Sequence, residues 1–401
     1  MTTPLGEVIG GVDTHADTHH VAVIDLNGRH LGDAKFPTTP AGYAALAGFL
    51  TAFGSVRRVG VEGTGSYGAA LTRHLRENSF EVMEVIRPNR QLRRMRGKSD
   101  PIDAYAAATT ALAAADHPAP KVTTGTTEAI RNLLVARRSA VKARTAAQVQ
   151  IKSLLVTAPT SIREKFRGNG DKALIEGLSR MRSNPADPVL GPIVTALRSL
   201  ARRHQQLTAE IGELEAALTP LVTNTNPALA ATKGIGTVTA AQLLITAGDN
   251  PDRLRSEAAF AALCGVSPIP ASSGKTNRHR LNRGGDRQAN AAIHRIALVR
   301  MTYEPRTRAY IEKKRAEGMT SKGAIRALKR AIAREVFTLL TKQVEVPRVD
   351  DLRPLRQARG ISLTAAATHF SVWPMRISEL ERGKRRDDDL ANAYRQWLLT
   401  A

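Results

Sequence analysis

From Leu197 through Leu200, His204, Leu207, Ile211, Leu214 and Leu218 to Leu221, mostly apolar side chains recur at alternating spacings of three and four. A strand cannot keep that period, whereas a helix that keeps it carries one continuous apolar stripe. Such a stripe needs a second helix to cover it. Two partners are open: an earlier arm of the same chain, Ile130 to Leu155, or the same stripe of another subunit, which would give a dimer or tetramer. The whole segment from Thr126 to Leu221 reads as helix, interrupted by Pro, Gly and Asn between residues 157 and 192. With 401 residues and 42% apolar content, the chain has room for two or three cores around this coiled-coil segment.

The first hundred residues follow a different rhythm. Val8-Ile9-Gly10-Gly11-Val12-Asp13 and Val21 to Ile24 read as strands within residues 7 to 38. A helix follows from Pro40 to Phe53, and then a strand, Arg58-Val59-Gly60-Val61-Glu62, with the turn Gly63-Thr64-Gly65. Glu81 to Ile86 adds a strand, and Pro101 to Ala115 reads as an Ala-rich helix, which closes an α/β domain near residue 115. Asp13 and Glu62 fall at strand ends, where side chains of an open α/β sheet reach the crevice above its carboxyl edge. Asp100 and Asp103 are three residues apart, so in a helical turn both face the same way. Any one of these acids could be a simple turn former or helix cap; the set of four points to more. Hard oxygen ligands of this kind suit Mg²⁺ or Mn²⁺, and two such ions about 3.5–4 Å apart stabilise the attacking and leaving oxygens of phosphoryl transfer. His15, His19 and His20 lie nearby, but a strand from Thr18 to Ile24 puts neighbouring side chains on opposite faces, which argues against a zinc site.

Lys and Arg total 59 against 36 Asp and Glu, a formal charge of +23 spread along the whole chain. Such a field recruits polyanions and makes double-stranded DNA the expected partner. Aromatic residues are only 4%, which disfavours binding of single strands by base stacking. Arg87, Arg90, Arg93, Arg94, Arg96 and Lys98 immediately precede the Asp pair and would draw a phosphate backbone towards it. Cys264 is the single cysteine, so there is neither a disulfide framework nor a multi-cysteine zinc site. No apolar run approaches about 18 residues and the start lacks a signal peptide, so a cytoplasmic protein without membrane contact is expected.

A third, mainly helical unit runs from Pro227 to about Thr341 and opens with Thr232-Lys233-Gly234-Ile235-Gly236-Thr237 between two helices. This has the form of a helix-hairpin-helix, in which Lys233, Gly234 and Gly236 would hold a phosphate at a helix N-terminus; a plain glycine turn is the alternative. Further on, Gly265-Val266-Ser267-Pro268-Ile269-Pro270-Ala271-Ser272-Ser273-Gly274-Lys275 places two adjacent hydroxyls among small, turn-forming residues. Lys275, Arg278, Arg280, Arg283, Arg287 and Arg295 follow with Asp286 as the only acid, so this loop should face a phosphate chain. A serine there could attack a phosphodiester, given help in losing its proton, or could simply shape the loop. A polar linker, Gln343 to Asp351, leads to a last compact unit.

Taken together, these residues resemble the insertion-sequence family numbered 110, which includes the Piv-type DNA invertases. The marks are Gly11-Val12-Asp13-Thr14-His15, Val61-Glu62-Gly63-Thr64-Gly65, Lys98-Ser99-Asp100-Pro101-Ile102-Asp103-Ala104, Lys233-Gly234-Ile235-Gly236, and Gly265-Val266-Ser267-Pro268 followed by Ser273-Gly274. The resemblance spans roughly residues 7 to 340. It implies an α/β RuvC-like (RNase H-like) domain whose DEDD metal ligands are Asp13, Glu62, Asp100 and Asp103, with Ser273 as covalent nucleophile; Ser272 stands beside it as the other candidate. It also implies a transposase or site-specific recombinase that uses a structured guide RNA from its own element to bridge two DNAs. The tail from about 352 to 383 looks like a Cro/C1-type helix-turn-helix, with Pro374 to Glu381 as recognition helix and Arg376 on it. It departs from that pattern in Leu363, in Ser371 where a turn glycine is usual, and in Trp373-Pro374 at the helix start.

The expected organisation is therefore a RuvC-like metal domain over residues 1–115, a helical coiled-coil linker over 116–222, a mainly helical transposase domain over 223–345 and a small all-α helix-turn-helix domain over 346–401. Two other functions fit parts of the pattern: a RuvC-like nuclease in which water attacks, and a non-catalytic DNA-binding regulator. The presence of all four acids argues against the second.

Overall fold

The computed structural model describes residues 6–85, 99–114, 119–272, 279–346, 348–383 and 387–400. They gather into two compact units: Met1–Gly125 together with Gly248–Arg253, and Thr126–Ala247 together with Leu254–Ala401.

The first unit is built on a five-stranded sheet of β1 (Glu7–Thr14), β2 (Thr18–Asp25), β3 (His30–Pro37), β4 (Ser55–Glu62) and β5 (Val82–Val85), with helices α1 (Pro40–Ala52), α2 (Ala69–Glu77) and α3 (Asp100–Ala113). The strand order is β3-β2-β1-β4-β5. β1 pairs antiparallel with β2 and parallel with β4, β2 pairs antiparallel with β3, and β4 pairs parallel with β5. The central strand β1 is covered on both faces and reads as an unbroken apolar run, while the edge strand β3 alternates exposed and half-buried positions. Val12, Val59 and Val61 pack with Leu46, Leu50, Leu71 and Leu75 on one face; Ile9 packs with Ala107, Ala108 and Ala111 on the other.

Two glycines let α3 lie flush on that second face. A methyl group on Gly11 would sit 2.1 Å from the Ala108 amide nitrogen and 2.3 Å from the Ala104 carbonyl oxygen; one on Gly60 would sit 2.7 Å from the Ala107 carbonyl oxygen. Backbone atoms cannot rotate away, so Gly11→Ala must push α3 off the sheet. We expect it to cost about 1–3 kcal/mol, the usual range for overpacking, seen as a lowered urea midpoint. A Gly11→Ala protein with the parent's midpoint would show that the helix tolerates the shift.

The short excursion Gly248–Arg253 completes the first unit. Asn250 Oδ1 accepts from the Val122 amide at 2.8 Å and its Nδ2 donates to the Pro120 carbonyl at 3.1 Å. Asp249 accepts from the Gly125 amide at 2.9 Å, and its own amide donates to the Val122 carbonyl at 3.1 Å.

The second unit is helical. The long helices α4 (Thr126–Thr157) and α7 (Leu190–Thr225) are joined by α5 (Thr160–Lys165) and α6 (Asp171–Ser179). Ile151 shares a core with Leu197 and Ala201, and Ile130 and Leu134 share another with Leu218 and Val222, so the two arms run antiparallel as a hairpin. The arm of the same chain packs against both ends of the seam, at Leu197 and at Leu218. Then come α8 (Pro227–Ala231), α9 (Thr237–Ala247), α10 (Glu257–Leu263), a two-stranded ribbon of β6 (Ile269–Pro270) and β7 (His279–Arg280), α11 (Arg287–Tyr303), α12 (Pro305–Ala316) and α13 (Ser321–Thr341). Their core contains Phe260, Cys264, Ile293, Ile296, Ile332 and Val336.

The tail contributes α14 (Leu352–Ala358), α15 (Leu363–His369), α16 (Pro374–Glu381) and α17 (Asp388–Thr400) around Leu352, Ile377, Leu380, Tyr394 and Leu398. Arg356 makes a buried, two-pronged ion pair with Glu381 at 2.6 and 3.1 Å, and the Tyr394 hydroxyl donates to the same carboxylate at 2.9 Å. Ser371 takes the left-handed conformation, φ +51°, in the turn between α15 and α16, which is where the glycine of the helix-turn-helix pattern is missing. Among the described residues no helix is long and apolar enough to cross a membrane.

Candidate functional site

The four acids expected to form a metal centre belong to three elements of the first unit. β1 and β4 run parallel with Val12 opposite Val61, so Asp13 and Glu62 are the next residues of adjacent strands at the same carboxyl edge. Side chains alternate along a strand, which puts Asp13 on the face of Gly11, and Glu62 on the face of Gly60. Both glycines face α3, and α3 begins with Asp100 and carries Asp103 on its buried side. The Thr14 hydroxyl donates to the Glu62 carbonyl at 3.0 Å and ties the two strand ends together. All four acids therefore share one face of the sheet at one end.

Asp13, His15 and Asp100 each offer a ligand atom, and the three atoms lie within 4.8 Å of one another. His15 Nε2 is 3.1 Å from Asp13 and 3.4 Å from Asp100, and Lys35 Nζ is 3.5 Å from Asp100. Asp13 is only 6% exposed. Burial pushes its carboxyl above the ordinary value; His15 opposes this, and the charges of Asp103 and Asp100 add to it. For Asp100 desolvation also pushes upward, but His15 and Lys35 outweigh it and its pKa falls. Crowded carboxylates with a buried member are costly unless a cation joins them. The donor set fits a divalent metal.

A second layer fixes the helix that carries the acids. Asp33 on β3 accepts from the Tyr105 hydroxyl at 3.2 Å and pairs with His20 Nε2 at 2.7 Å, while the His30 and Tyr105 rings stack 3.7 Å apart. Tyr105 is two residues beyond Asp103. Its hydroxyl is pushed up to about 12, by burial first and by Asp33 next, and so stays a donor. His19, as expected from the strand alternation, faces away and stacks on Tyr43. Sequence reasoning set His15 aside with the other two, yet it stands at the centre of the acid cluster. The signal was available in its position two residues after Asp13, beyond the end of the strand's core.

In the second unit, Gly234 has φ +81° and faces Arg300, whose Nε donates to the Lys233 carbonyl at 2.9 Å while its other nitrogens pair with Glu335 at 2.6 and 3.0 Å. The hairpin turn is thus locked by a buried arginine, leaving Lys233 and Gly236 exposed before α9. A cavity of about 410 Å³ lies between the loop at Val266 to Pro268, the ribbon residues His279 and Arg280, and Arg326 and Lys329 of α13. Ser272 is exposed at the end of this loop, and Arg283 and Arg287 are exposed beyond the ribbon. Ser273, Lys275 and Arg278, like Arg87, Arg90, Arg93, Arg94, Arg96 and Lys98, lie outside the described residues. Arg376 is engaged in an ion pair with Asp387 at 2.5 Å and is largely buried.

Comparison with known proteins gives two matches to family models. Residues 10–158 match a transposase model of the DEDD IS110 type, and residues 226–312 match the model described as transposase, IS116/IS110/IS902 family. A 155-residue stretch is 32% identical to the insertion element IS110 uncharacterized 43.6 kDa protein of Streptomyces coelicolor, covering 38% of this chain and 37% of that relative. Another of 149 residues is 27% identical to the insertion element IS900 uncharacterized 42 kDa protein of Mycobacterium paratuberculosis, covering 36% of this chain and 37% of the relative. The matched stretches thus span less than two fifths of either relative's length.

Proposed function

Because the chain belongs to the IS116/IS110/IS902 family of transposases, we propose that it cleaves and rejoins DNA, with a RuvC-like first domain acting together with a serine of the second. The observation that carries this reading is the convergence of Asp13, Asp100 and His15, with Asp103 electrostatically coupled to Asp13 and Glu62 beside it on the same sheet face. Asp13, Glu62, Asp100 and Asp103 would hold two Mg²⁺ or Mn²⁺ ions, which when bound would offset charge on the phosphate under attack. His15 and Lys35 orient Asp100 and balance the acids. The Ser273 hydroxyl attacks phosphorus, its proton passes to a base, and the broken P–O bond leaves a deoxyribose hydroxyl that takes up a proton. The phosphoserine ester is then attacked by the hydroxyl of a second DNA end, which frees the serine. Duplex DNA is the substrate, in the cytoplasm; a structured guide RNA and a homo-oligomer are the further partners the family resemblance implies. The +23 charge supports both polyanions.

Trapping tests the reading. Protein, Mg²⁺ and element-end DNA are mixed and denatured; a DNA-linked band that survives is expected, while cleavage without it would indicate a nuclease in which water attacks.

The tail reads as a helix-turn-helix made of α15, the turn at Ser371 and α16. Arg376 is occupied by Asp387, so on this reading its role is to brace α16 rather than to contact bases. Truncation after Val346 removes none of the acids and should leave cleavage within about threefold of the parent, with altered site choice or affinity, since loss of phosphate contacts acts on binding. A truncated protein that binds DNA as the parent does but cleaves no substrate would place the tail in the catalytic body.

A further inference from the structure

Beside the hairpin turn, the second unit holds a pocket of about 260 Å³ between α4, α9 and α11, into which Arg137, Arg138, Lys142 and Arg295 converge. Arg137 is paired with Glu215. Arg138, Lys142 and Arg295 have no ion-pair partner among the described residues.

The pocket is built, not incidental. Arg138 donates to Gln242 Oε1 at 2.6 Å; Gln242 Nε2 donates to Thr246 Oγ1 at 3.2 Å, and that hydroxyl donates to Asp286 Oδ2 at 2.7 Å. Asp286 in turn caps α11, accepting from the Gln288 and Ala289 amides at 2.7 and 3.1 Å. Gln242 and Thr246 are buried. A buried polar chain of this kind is kept only if every member is satisfied, and its end product is a guanidinium held at the pocket wall. Burial pushes the Arg138 pKa down, Asp286 opposes, and Arg295 and Arg137 push further down. The wall thus carries positive charge in excess of what the protein neutralises, and the first-turn residues Val238 and Thr239 of α9 line the same pocket, adding the positive end of a helix dipole.

We propose that this pocket binds a backbone phosphate of duplex DNA, with Arg138, Lys142 and Arg295 as its ligands. The inference rests on reading the chain as a protein that handles DNA. Duplex is favoured because α9 follows directly on the Lys233-Gly234-Ile235-Gly236 turn, so the pocket and the turn would contact phosphates along one backbone. Arg138 is the fixed point and the exposed Lys142 and Arg295 close over the anion.

The test uses the full chain and two double variants that each remove two positive charges. K142Q/R295Q empties the pocket rim; K172Q/R203Q removes exposed charges from the distal hairpin. Affinity for a duplex and for a folded RNA of equal length is measured across a KCl series. For the duplex, the slope of log K against log salt should fall by about 0.9 per lost contact, near two in all, with affinity about tenfold or more lower in K142Q/R295Q; K172Q/R203Q should change under about threefold. Equal changes in both doubles would reduce the effect to net charge and overturn the proposal, as would no change in K142Q/R295Q. A loss confined to RNA overturns the duplex assignment. The covalent adduct separates the two readings: a parent that forms the adduct with an unmoved slope in K142Q/R295Q sinks only the pocket, whereas a parent that binds duplex with the expected slope but forms no adduct sinks only the serine mechanism.

Discussion

Replacing Asp13 by Asn, or Glu62 by Gln, is expected to abolish strand exchange and to leave DNA binding in place. Asp13 is buried beside His15 and the acids of α3, and burial raises its pKa, so its negative charge is costly without a cation. A neutral isostere keeps the shape and removes a ligand charge. Metal contributes several kcal/mol to phosphoryl transfer, so the rate should fall roughly 10³-fold or more. Binding draws on the basic surplus, and one fewer carboxylate weakens nothing there. Strand exchange and duplex affinity, measured on the same preparation, check the two halves of the expectation. Full activity in Glu62→Gln would remove Glu62 from the metal assignment.

On the proposed mechanism, Ser273→Ala is expected to abolish the covalent protein–DNA adduct and every recombinant product, while metal and DNA binding should persist. The effect should be all-or-none because the nucleophile's ester is what stores the broken phosphodiester until a second DNA end reclaims it without an outside energy source. Ser272→Ala, one residue away and exposed, should be mild. Denaturing gels with labelled element ends decide between them. Adduct in Ser273→Ala and none in Ser272→Ala would exchange the two roles; adduct in both would end the serine mechanism.

What could be read from the chain, and what could not, follows from how local each signal is. Asp13 and Glu62 announced themselves because a strand's apolar run ends visibly, and Asp100 and Asp103 because a three-residue spacing defines a helix face. Some elements of the first unit fall close to where the pattern puts them, Val82–Val85 against 81–86 and Asp100–Ala113 against 101–115, whereas β4 begins at Ser55, three residues before the apolar run that marked it. His15 was passed over because it was judged as one of three histidines, whereas its place is set by the turn after β1, where the His15 amide bonds the Thr18 carbonyl at 3.1 Å. Gly11 looked like any strand glycine; only the arrival of Ala104 and Ala108 from almost a hundred residues away explains it. The seam at Leu197 to Leu221 told its period but not its partner, since an apolar stripe carries no label for what covers it. The alignment of Arg138 with Arg295 is of the same long-range kind and leaves no local trace.

The excursion Gly248–Arg253 has a bearing on how such a protein can be taken apart. The polypeptide leaves the first unit after Gly125, returns at Gly248 and leaves again after Arg253. Asn250 and Asp249 satisfy the amides of Val122 and Gly125 and the carbonyl of Pro120, groups that a fragment ending at residue 125 would leave to water. The half that carries the acid cluster is therefore not inherited as one continuous stretch of coding sequence. A crossover or designed fusion that exchanges residues 1–125 between two such proteins carries over the sheet and its acids but keeps the other parent's fastening, so compatible hybrids must trade both stretches together.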